Sequence, residues 1–442
     1  MPGRQRADSL NVMQLREVLY DLGMEAGRRV LPRARFLPSK LQRGVEGRRE
    51  LLARVEAWAR ESRGEGPLVW FHAPSVGEGL QARPVIEALR ALRPDIQVFY
   101  TFFSPSAEKL AEGMPVDYAD YMPFDVVDDL MKLMDAVKPD VIAFGKLDVW
   151  PNVTRVAHWR DVRLALVSGT LAPNSTRLRW PARDFLAPAY ARLDAVGAIS
   201  AADSVRLAQL GVPAGRIEVT GDARFDQVWA RAQAVDPKQP PVSLLSGYEG
   251  VTLVAGSTWG EGERYLVPAW ARLRVRYPEL RVVLVPHEPT RNHLMRLEAH
   301  LAMHELGHVR LSQIEGEGAE PREVIVVDRM GVLGELYAVA DVAYVGGGFG
   351  RRGLHSVLEP AALGVPMLFG PRHANAREAG ELIERGGAMA VADEAALEAK
   401  LGAWLADPEA RRAAGTAALS YVQANLGAGR RNAELVLRLL GS

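Results

Sequence analysis

The feature that most constrains the fold is an alternation of short apolar segments with amphipathic helical patterns, which runs from Leu68 almost to the end of the chain. Each apolar segment has the length of a β-strand. The stretches between them, such as 79–92 and 126–137, have the spacing of helices. Strands that alternate with helices in this way form parallel sheets covered by helices on both faces. The sequence therefore predicts an α/β fold.

The apolar segments form two sets of six. The first set is "LVWFHA", "QVFYTFF", "VIAFG", "RLALVSG", "DAVGA" and "RIEVTGD", and the second is "VTLVAGS", "RVVLVPH", "EVIVVD", "VAYVGGG", "PMLFGP" and "AMAVAD". Between them, residues 235–250 are rich in Pro, Gly and Ser without clear periodicity, which is typical of a linker. The pattern predicts two Rossmann-like, doubly wound domains facing across a cleft, with ligands at the carboxyl ends of the strands.

The domain boundaries follow from this pattern. With 442 residues, the chain is long for one core and sufficient for two domains. The predicted segments are a basic helical arm at 1–63, a first domain at 64–234, a linker at 235–250, a second domain at 251–407, and C-terminal helices at 408–442 that pack back on the first domain.

Composition excludes several classes of function. Lys and Arg number 54, as do Asp and Glu, so no net field draws the chain to nucleic acid. The absence of cysteine excludes disulfides, thiolate catalysis and cysteine metal sites. No window approaches the roughly 18 apolar residues of a membrane span, and no signal-peptide core is visible.

The amino-terminal arm has a local basic excess, with fourteen Lys and Arg against eight Asp and Glu before Gly64. Basic side chains beside apolar anchors suit the surface of an anionic membrane. A solvated helical arm that packs on its own domain has the same composition, because long basic side chains also cover apolar surface. Both interpretations remain open at this stage.

A glycine-rich loop follows one strand of the second half. Residues 348–353 match the G-x-G-x-x-G dinucleotide pattern, but no carboxylate ends the next strand, which argues against a nicotinamide dehydrogenase. Glycines let a backbone approach a phosphate, and the N–H groups that open the next helix point at it. The alternative is a tight turn in which Glu359 is a cap or is solvated.

Polar residues follow other strands of this half, in "AGSTWGEGE", "VPHEPTR" and "VDRMGVLGELY". Because the carboxyl ends of parallel strands meet at one edge of a sheet, this convergence predicts a nucleotide pocket. The predicted donor-binding residues are Ser257, Thr258, His287, Arg291, Gly331, Gly347, Gly348, His355, Ser356 and Glu359.

Glu78 lies where the first apolar strand gives way to a helix. Ser75-x-x-Glu78 is the capping-box pattern, in which both side chains bind backbone N–H groups. A carboxylate flanked by Gly77 and Gly79 is also accessible to an acceptor hydroxyl, as a general base must be. The local sequence leaves cap and base equally possible.

Taken together, several motifs resemble the 3-deoxy-D-manno-octulosonic acid (Kdo) transferases, which are inverting glycosyltransferases of the GT-B fold. The resemblance spans most of the chain and rests on "FHAPSVGEG", "FFSPSAEKL", "MPFDV", "DVWPN", "GDARFD", "AGST", "VPHEPTR", "VGGGFGRRGLHSVLEPAALGVPMLFGP" and "HANAREA". It implies that Glu78 is the catalytic base and that a cap and a base are compatible roles for one helix-start carboxylate.

The resemblance also implies the substrates and their location. The first domain would bind a lipid A precursor, with Ser75, Gly77, Ser104 and Asp148 on the acceptor side. The second domain would bind CMP-Kdo, a substrate rather than a cofactor, and neither a cofactor nor a metal is expected. The protein would be cytoplasmic and peripheral at the inner face of the membrane, acting in lipopolysaccharide synthesis.

The chain departs from the family at several motif positions. Lys146 and Asp148 stand where the family has two glutamates, and Thr170 stands where it has an arginine. In the second half, His287-Glu288 replaces Arg-His, and Ser356 replaces an asparagine. Replacing arginine by histidine removes a permanent bidentate partner for an anion.

These departures keep other functions open. One is a related transferase with another nucleotide-sugar donor or envelope acceptor. A second is a non-catalytic nucleotide-binding scaffold, although the retained Glu78, glycine loop and Glu359 argue against it. A third, a nucleotide-sugar epimerase of the same fold, explains neither the basic arm nor "SVGEG".

Overall fold

The computed structural model describes residues 3–33 and 38–441, with side chains described from residue 16 onward. The chain forms two compact units. The first unit comprises the residues up to Gln227 together with those from Gly427 onward, and the second unit comprises Val228–Leu426.

Each unit contains one seven-stranded parallel sheet. The first sheet has the order β3-β2-β1-β4-β5-β6-β7 and the second has the order β10-β11-β9-β8-β12-β13-β14. The strands are β1 (Leu68–His72), β2 (Gln97–Phe102), β3 (Tyr118–Tyr121), β4 (Val141–Gly145), β5 (Arg163–Gly169), β6 (Ala195–Ala198), β7 (Ile217–Val219), β8 (Val251–Thr258), β9 (Leu280–Pro286), β10 (His308–Arg310), β11 (Val324–Val326), β12 (Val342–Val345), β13 (Met367–Phe369) and β14 (Ala388–Ala390).

Helices connect the strands and cover the sheets. They are α1 (Gly3–Val30), α2 (Ser39–Gly47), α3 (Leu51–Ser62), α4 (Val76–Leu92), α5 (Glu108–Glu112), α6 (Val127–Val137), α7 (Pro151–Trp159), α8 (Ala182–Ala191), α9 (Ala201–Gln209), α10 (Arg224–Gln233), α11 (Val242–Leu245), α12 (Gly260–Arg276), α13 (Arg291–Met303), α14 (Leu311–Glu317), α15 (Leu333–Leu336), α16 (Leu358–Ala362), α17 (Arg377–Glu384), α18 (Glu394–Ala406), α19 (Pro408–Ala424) and α20 (Ala428–Leu440).

The central strands are apolar throughout because both faces of each sheet are covered. Every residue of β1 and of β4 is buried. Along β1, Leu68 and Trp70 belong to the core on one face, and Val69 and Phe71 belong to the core on the other. This two-residue alternation fills both cores from one strand. The prediction of doubly wound parallel sheets is confirmed.

The sequence missed one strand in each sheet. β3 and β10 are both edge strands, and each is only partly buried. The segments themselves are "YADY" and "HVR", and neither has a continuous apolar run that would distinguish it from a loop.

The division between the units differs from the predicted boundaries. It falls within α10, before the segment 235–250 that was interpreted as a linker. That segment contains α11, whose Val242 and Leu245 are buried in the second unit. At the carboxyl end, α19 belongs to the second unit and α20 to the first. Asp226 accepts hydrogen bonds from the N–H groups of Gly427 and Gly429 at the start of α20.

The described part of the amino-terminal arm packs on the first unit. The Trp58 ring of α3 stacks on Tyr118 at 5.0 Å, and Asp21 of α1 pairs with Arg155 at 2.6 Å. Leu19 and Leu22 of α1 are exposed. Residues 34–37 of the predicted arm, including Arg35, lie outside the described residues. Among the described residues, no helix combines the length and apolar character that a membrane span requires.

Asp125 connects the arm to the sheet. Its carboxylate accepts hydrogen bonds from the N–H groups of Asn152 and Val153, in the first turn of α7, and from the Tyr20 hydroxyl of α1. Burial raises the pKa of Asp125 from 3.8 to about 6, although these hydrogen bonds oppose the rise. The motif residues Asp125 and Asn152 are therefore structural in this chain.

We expect Asp125→Asn to change the pH dependence of stability. Because the pKa of Asp125 is higher in the folded protein, its contribution is full below the unfolded pKa and is lost as the pH rises through about 6. The free energy of unfolding of the wild type, relative to the variant, should fall by roughly 2–3 kcal/mol between pH 4 and pH 7. Urea unfolding of both proteins at several pH values measures this difference. A difference that does not vary with pH would contradict the assignment.

Candidate functional site

Glu78 lies at the point where the first sheet changes direction. The chain progresses from β1 toward β2 on one side and crosses to β4 on the other, so the β1 and β4 carboxyl ends flank this point. Glu78 is the third residue of α4, which follows β1. A Cβ placed on Gly145, the last residue of β4, would lie 3.8 Å from the Glu78 Cβ. Ligands of doubly wound sheets bind at such switch points.

Two side chains hold the Glu78 carboxylate. The Ser75 hydroxyl donates a hydrogen bond to Oε2, and the Lys146 ammonium lies 3.3 Å from Oε1. Ser75 is the N-cap residue of α4, but its side chain makes no capping hydrogen bond. The capping-box interpretation is therefore wrong, because the Ser75 hydroxyl binds the carboxylate instead of a backbone N–H. The Glu78 side chain retains 16% exposure, so a hydroxyl group can reach it.

Lys146 adopts an unusual backbone conformation directly after β4. Its φ is +65°, in the left-handed region that costs a side-chain-bearing residue of order 1–3 kcal/mol. The Lys146 carbonyl accepts a hydrogen bond from the N–H of Thr170, the residue directly after β5. This hydrogen bond helps to hold the backbone of Lys146 in the left-handed conformation. The conformation brings an ammonium group to the carboxylate of Glu78.

Not all of the predicted acceptor residues contact the segment that contains Glu78. Gly77 is in the same helical turn as Glu78. The Ser104 N–H donates to the Pro74 carbonyl at 2.8 Å, which joins the two loops. Asp148 instead forms an ion pair with Arg177 at 2.8 Å. Arg177 was not predicted as a site residue, because it lies outside the recognised motifs.

A buried histidine supports the loop that contains Glu78. His72 ends β1; its Nδ1 lies 2.9 Å from the Thr101 hydroxyl, and its Nε2 accepts from the Trp150 indole at 3.0 Å. Burial lowers the pKa of His72 to about 3, so the ring is neutral. Trp150 of "DVWPN" therefore has a structural role beneath the site.

In the second unit, the sheet changes direction between β8 and β12, and predicted donor residues follow both of these strands. Three glycines follow β12, and the backbones of neighbouring loops approach them closely. A Cβ on Gly346 would collide with the carbonyl of Ser257, and one on Gly347, whose φ is +98°, with the carbonyl of Gly353. A Cβ on Gly348 would lie 2.7 Å from the Gly370 nitrogen. The loop therefore requires glycine for close backbone packing.

Three rings and a guanidinium stack beside this loop. The His287 and His355 rings lie 4.3 Å apart, and the Trp259 ring lies 4.8 Å from His287. The Arg352 guanidinium lies 3.7 Å above Trp259. The Trp259 indole N–H donates to His355 Nε2 at 2.9 Å. Both histidines were predicted site residues, whereas Trp259 and Arg352 were not, although all four residues lie in the quoted motifs.

Glu359 pairs with Arg231, which no motif in the sequence indicated as a site residue. Arg231 of α10 donates to Glu359 Oε1 at 3.1 Å and to the Gly331 carbonyl at 3.4 Å. Burial raises the pKa of Glu359, and Arg231 opposes this rise. The pair connects two of the predicted donor residues, Gly331 and Glu359.

The remaining donor-side predictions have different surroundings. Thr258 is fully buried, and its hydroxyl donates to Glu263, which also binds His293. Its side chain therefore supports the site from below. Arg291 is exposed as the first residue of α13, and Ser356 is exposed just before α16. Ser257 has a φ of +52° at the end of β8.

The Asn375 side chain binds the backbone directly after the glycine-rich segment 348–353. Its amide oxygen accepts from the Leu354 N–H and its amide nitrogen donates to the Leu354 carbonyl, both at 2.9 Å. Asn375 belongs to the quoted segment "HANAREA", so its motif was found but its contact was not.

Comparison with known proteins identifies the family. The family model for 3-deoxy-D-manno-octulosonic-acid transferases matches residues 46–227. A 3-deoxy-D-manno-octulosonic acid transferase of Bordetella pertussis is 30% identical over 90% of this chain and 94% of its own length. The chain belongs to this transferase family. It is accordingly a glycosyltransferase, and the family resemblance that the motifs indicated is confirmed.

Solved structures agree with the fold. A glycosyltransferase from Rickettsia africae aligns with a TM-score of 0.57 at 14% identity, covering 85% of this chain and 99% of its own. The UDP-GlcNAc 2-epimerase of Neisseria meningitidis, solved with UDP-GlcNAc bound, aligns with a TM-score of 0.59 at 15% identity, covering 84% and 98%. These likenesses confirm the GT-B class for this Kdo transferase family member.

Proposed function

We propose that this Kdo transferase family member transfers Kdo from CMP-Kdo to a lipid A precursor in lipopolysaccharide synthesis. The observation that carries the proposal is the position of Glu78. It is an accessible carboxylate in the first turn of α4, at the switch point of the first sheet, held by Ser75 and Lys146.

Glu78 is the general base in this proposal. An acceptor hydroxyl transfers its proton to the Glu78 carboxylate as its oxygen attacks the anomeric carbon of Kdo. The bond from that carbon to the phosphate oxygen breaks, and CMP leaves with the bonding electron pair. The configuration at the anomeric carbon inverts. A positioned base of this kind contributes about 10²- to 10⁴-fold in rate. Ser75 and Lys146 orient the carboxylate, while Gly77 and Ser104 border the approach of the acceptor.

The second unit binds the donor in this proposal. In this proposal, backbone N–H groups of the glycine loop after β12 bind an anionic group of the donor, and Arg352 and His355 lie beside that loop. Glu359, fixed by Arg231, accepts hydrogen bonds from ribose hydroxyls. Arg291 and Ser356 are exposed polar groups at the neighbouring strand ends. CMP-Kdo acts as a substrate, and we expect no cofactor or metal requirement.

In this proposal, the amino-terminal arm contacts the membrane that contains the lipid acceptor. Its basic excess and the exposed Leu19 and Leu22 suit peripheral contact with an anionic membrane. We therefore place the protein at the cytoplasmic face of the membrane, where its glycolipid acceptor would be reached.

The expected result with purified protein is release of CMP that requires both CMP-Kdo and a lipid A precursor. Mass spectrometry should show the acceptor heavier by one or more Kdo residues. Thermal unfolding with CMP, UDP and GDP tests the donor separately, because a ligand of the native state raises the melting temperature. Stabilisation by UDP or GDP alone would replace the donor. No stabilisation and no turnover would favour a non-catalytic scaffold.

A further inference from the structure

The hydrogen bond between Trp259 and His355 determines which nitrogen of the histidine carries a proton. An indole N–H is a donor only, so His355 Nε2, which lies 2.9 Å from it, must accept. A neutral imidazole with an accepting Nε2 has its proton on Nδ1. Burial, together with the electrostatic influence of His287 and Arg352, lowers the pKa of His355 to about 4, so the His355 ring is neutral at physiological pH.

His355 has contacts other than the one with Trp259. The backbone N–H of His355 donates a hydrogen bond to the Gly346 carbonyl at 3.1 Å. The His287 ring stacks on the His355 imidazole, with the ring centroids 4.3 Å apart. A Cβ on Gly347 would lie 3.1 Å from the ring carbon Cδ2. These contacts place the ring beside Gly347 and His287, and the indole N–H adds the hydrogen bond that selects the tautomer.

The proton on Nδ1 is available to a ligand. Within the described residues, Nδ1 has no hydrogen-bond partner, and the His355 side chain is only partly buried. The Arg352 guanidinium, which lies above Trp259, places a positive charge on the same cluster. A neutral N–H donor beside a guanidinium and a glycine loop suits an anionic oxygen.

We propose that Trp259 is a positioning residue that fixes His355 as an Nδ1–H donor to an anionic oxygen of the donor substrate. This inference rests on the proposed function, in which the second unit binds CMP-Kdo. The oxygen belongs either to the phosphate or to the carboxylate of the sugar. Without the indole N–H, either ring nitrogen can carry the proton, and the fraction of molecules that present Nδ1–H falls.

The test uses the full chain with Trp259→Phe, which retains a ring against His287 and Arg352 but has no N–H. Trp270→Phe is the matched control, because the indole N–H of Trp270 has no hydrogen-bond partner within the described residues. Long-range ¹⁵N–¹H spectra of histidine-labelled protein report the tautomer of His355, whose signals are assigned with His355→Gln.

We expect the Nδ1–H tautomer in the wild type and in Trp270→Phe, and a mixture of tautomers in Trp259→Phe. In calorimetric titrations, the Kd of CMP should rise about 10-fold in Trp259→Phe while the Kd of cytidine is unchanged, which assigns the oxygen to the phosphate. A rise confined to CMP-Kdo would assign it to the carboxylate. Turnover should show a raised KM with little change in kcat.

Two results for the Trp259→Phe variant would overturn the inference. One is an unchanged tautomer in Trp259→Phe. The other is an equal loss of affinity for cytidine and CMP, which indicates that Trp259 only packs against the nucleoside. A wild type that prefers another nucleotide would refute the proposed donor alone, and the same comparison is then made with that nucleotide and its nucleoside. A wild type that binds no nucleotide but keeps the Nδ1–H tautomer refutes both the proposed donor and the ligand of His355.

Discussion

Replacing Glu78 by glutamine should abolish most of the transferase activity, with kcat reduced about 10²- to 10⁴-fold. An amide cannot accept the acceptor hydroxyl proton, yet it keeps the size of the carboxylate and can still bind the Ser75 hydroxyl. Because Glu78 belongs to the first unit and the proposed CMP site to the second, the affinity for CMP should stay within about two-fold. Initial rates of CMP release, together with calorimetric titration of CMP, measure both effects.

Glu87→Gln is the matched control for this prediction. Glu87 is on the same helix, α4, and its carboxylate is exposed and 3.6 Å from the Arg83 guanidinium. Exposed pairs of this kind contribute less than about 1 kcal/mol, so this variant should retain the wild-type rate. Normal turnover by Glu78→Gln would show that Glu78 is not the base. A melting temperature far below that of the control would indicate a structural defect instead.

Gly348→Ala should remove the affinity of the second unit for CMP, with an increase in Kd of at least about 100-fold. The new Cβ would lie 2.7–2.8 Å from backbone atoms of Gly370. Because these are backbone atoms, a side-chain rotation cannot relieve the clash. The loop after β12 must therefore move away from the end of β13. Overpacking of this kind also lowers the free energy of unfolding by about 1–3 kcal/mol. Calorimetry with CMP and urea unfolding measure the two effects.

Gly350→Ala is the control in the same loop. Its Cβ would meet nothing nearer than the Glu261 carboxylate at 3.7 Å, which is ordinary contact. Its φ is not in the left-handed region, so alanine fits and CMP should bind within about two-fold of the wild type. If Gly348→Ala stays folded and binds CMP normally, the glycine loop is not part of the donor site.

The architecture and the main functional positions are readable in the sequence because they depend on local pattern. Strands such as β1 and β4, buried on both faces, produce continuous apolar runs, which predicted the parallel sheets. The positions of Glu78 and of the glycine loop followed from where those strands end. The edge strands β3 and β10 were missed because their short segments, "YADY" and "HVR", lack such an apolar run.

The partners of the site residues were not readable, since they depend on which strands are neighbours. The Lys146–Glu78 pair joins residues 68 positions apart, and the Arg231–Glu359 pair joins residues 128 positions apart. Similar strand and helix patterns also gave two different strand orders, because β11 inserts between β10 and β9 while β2 lies directly beside β3.

The fold class, the family and the carboxylate at the start of α4 all follow from the order of the amino acids. Three contacts instead depend on how the chain is packed: Ser75 binds this carboxylate and does not cap the helix, Lys146 lies beside the carboxylate, and Trp259 donates to His355. Periodicity encodes which face of a strand or helix is buried. It does not encode strand order, and strand order brings these side chains together.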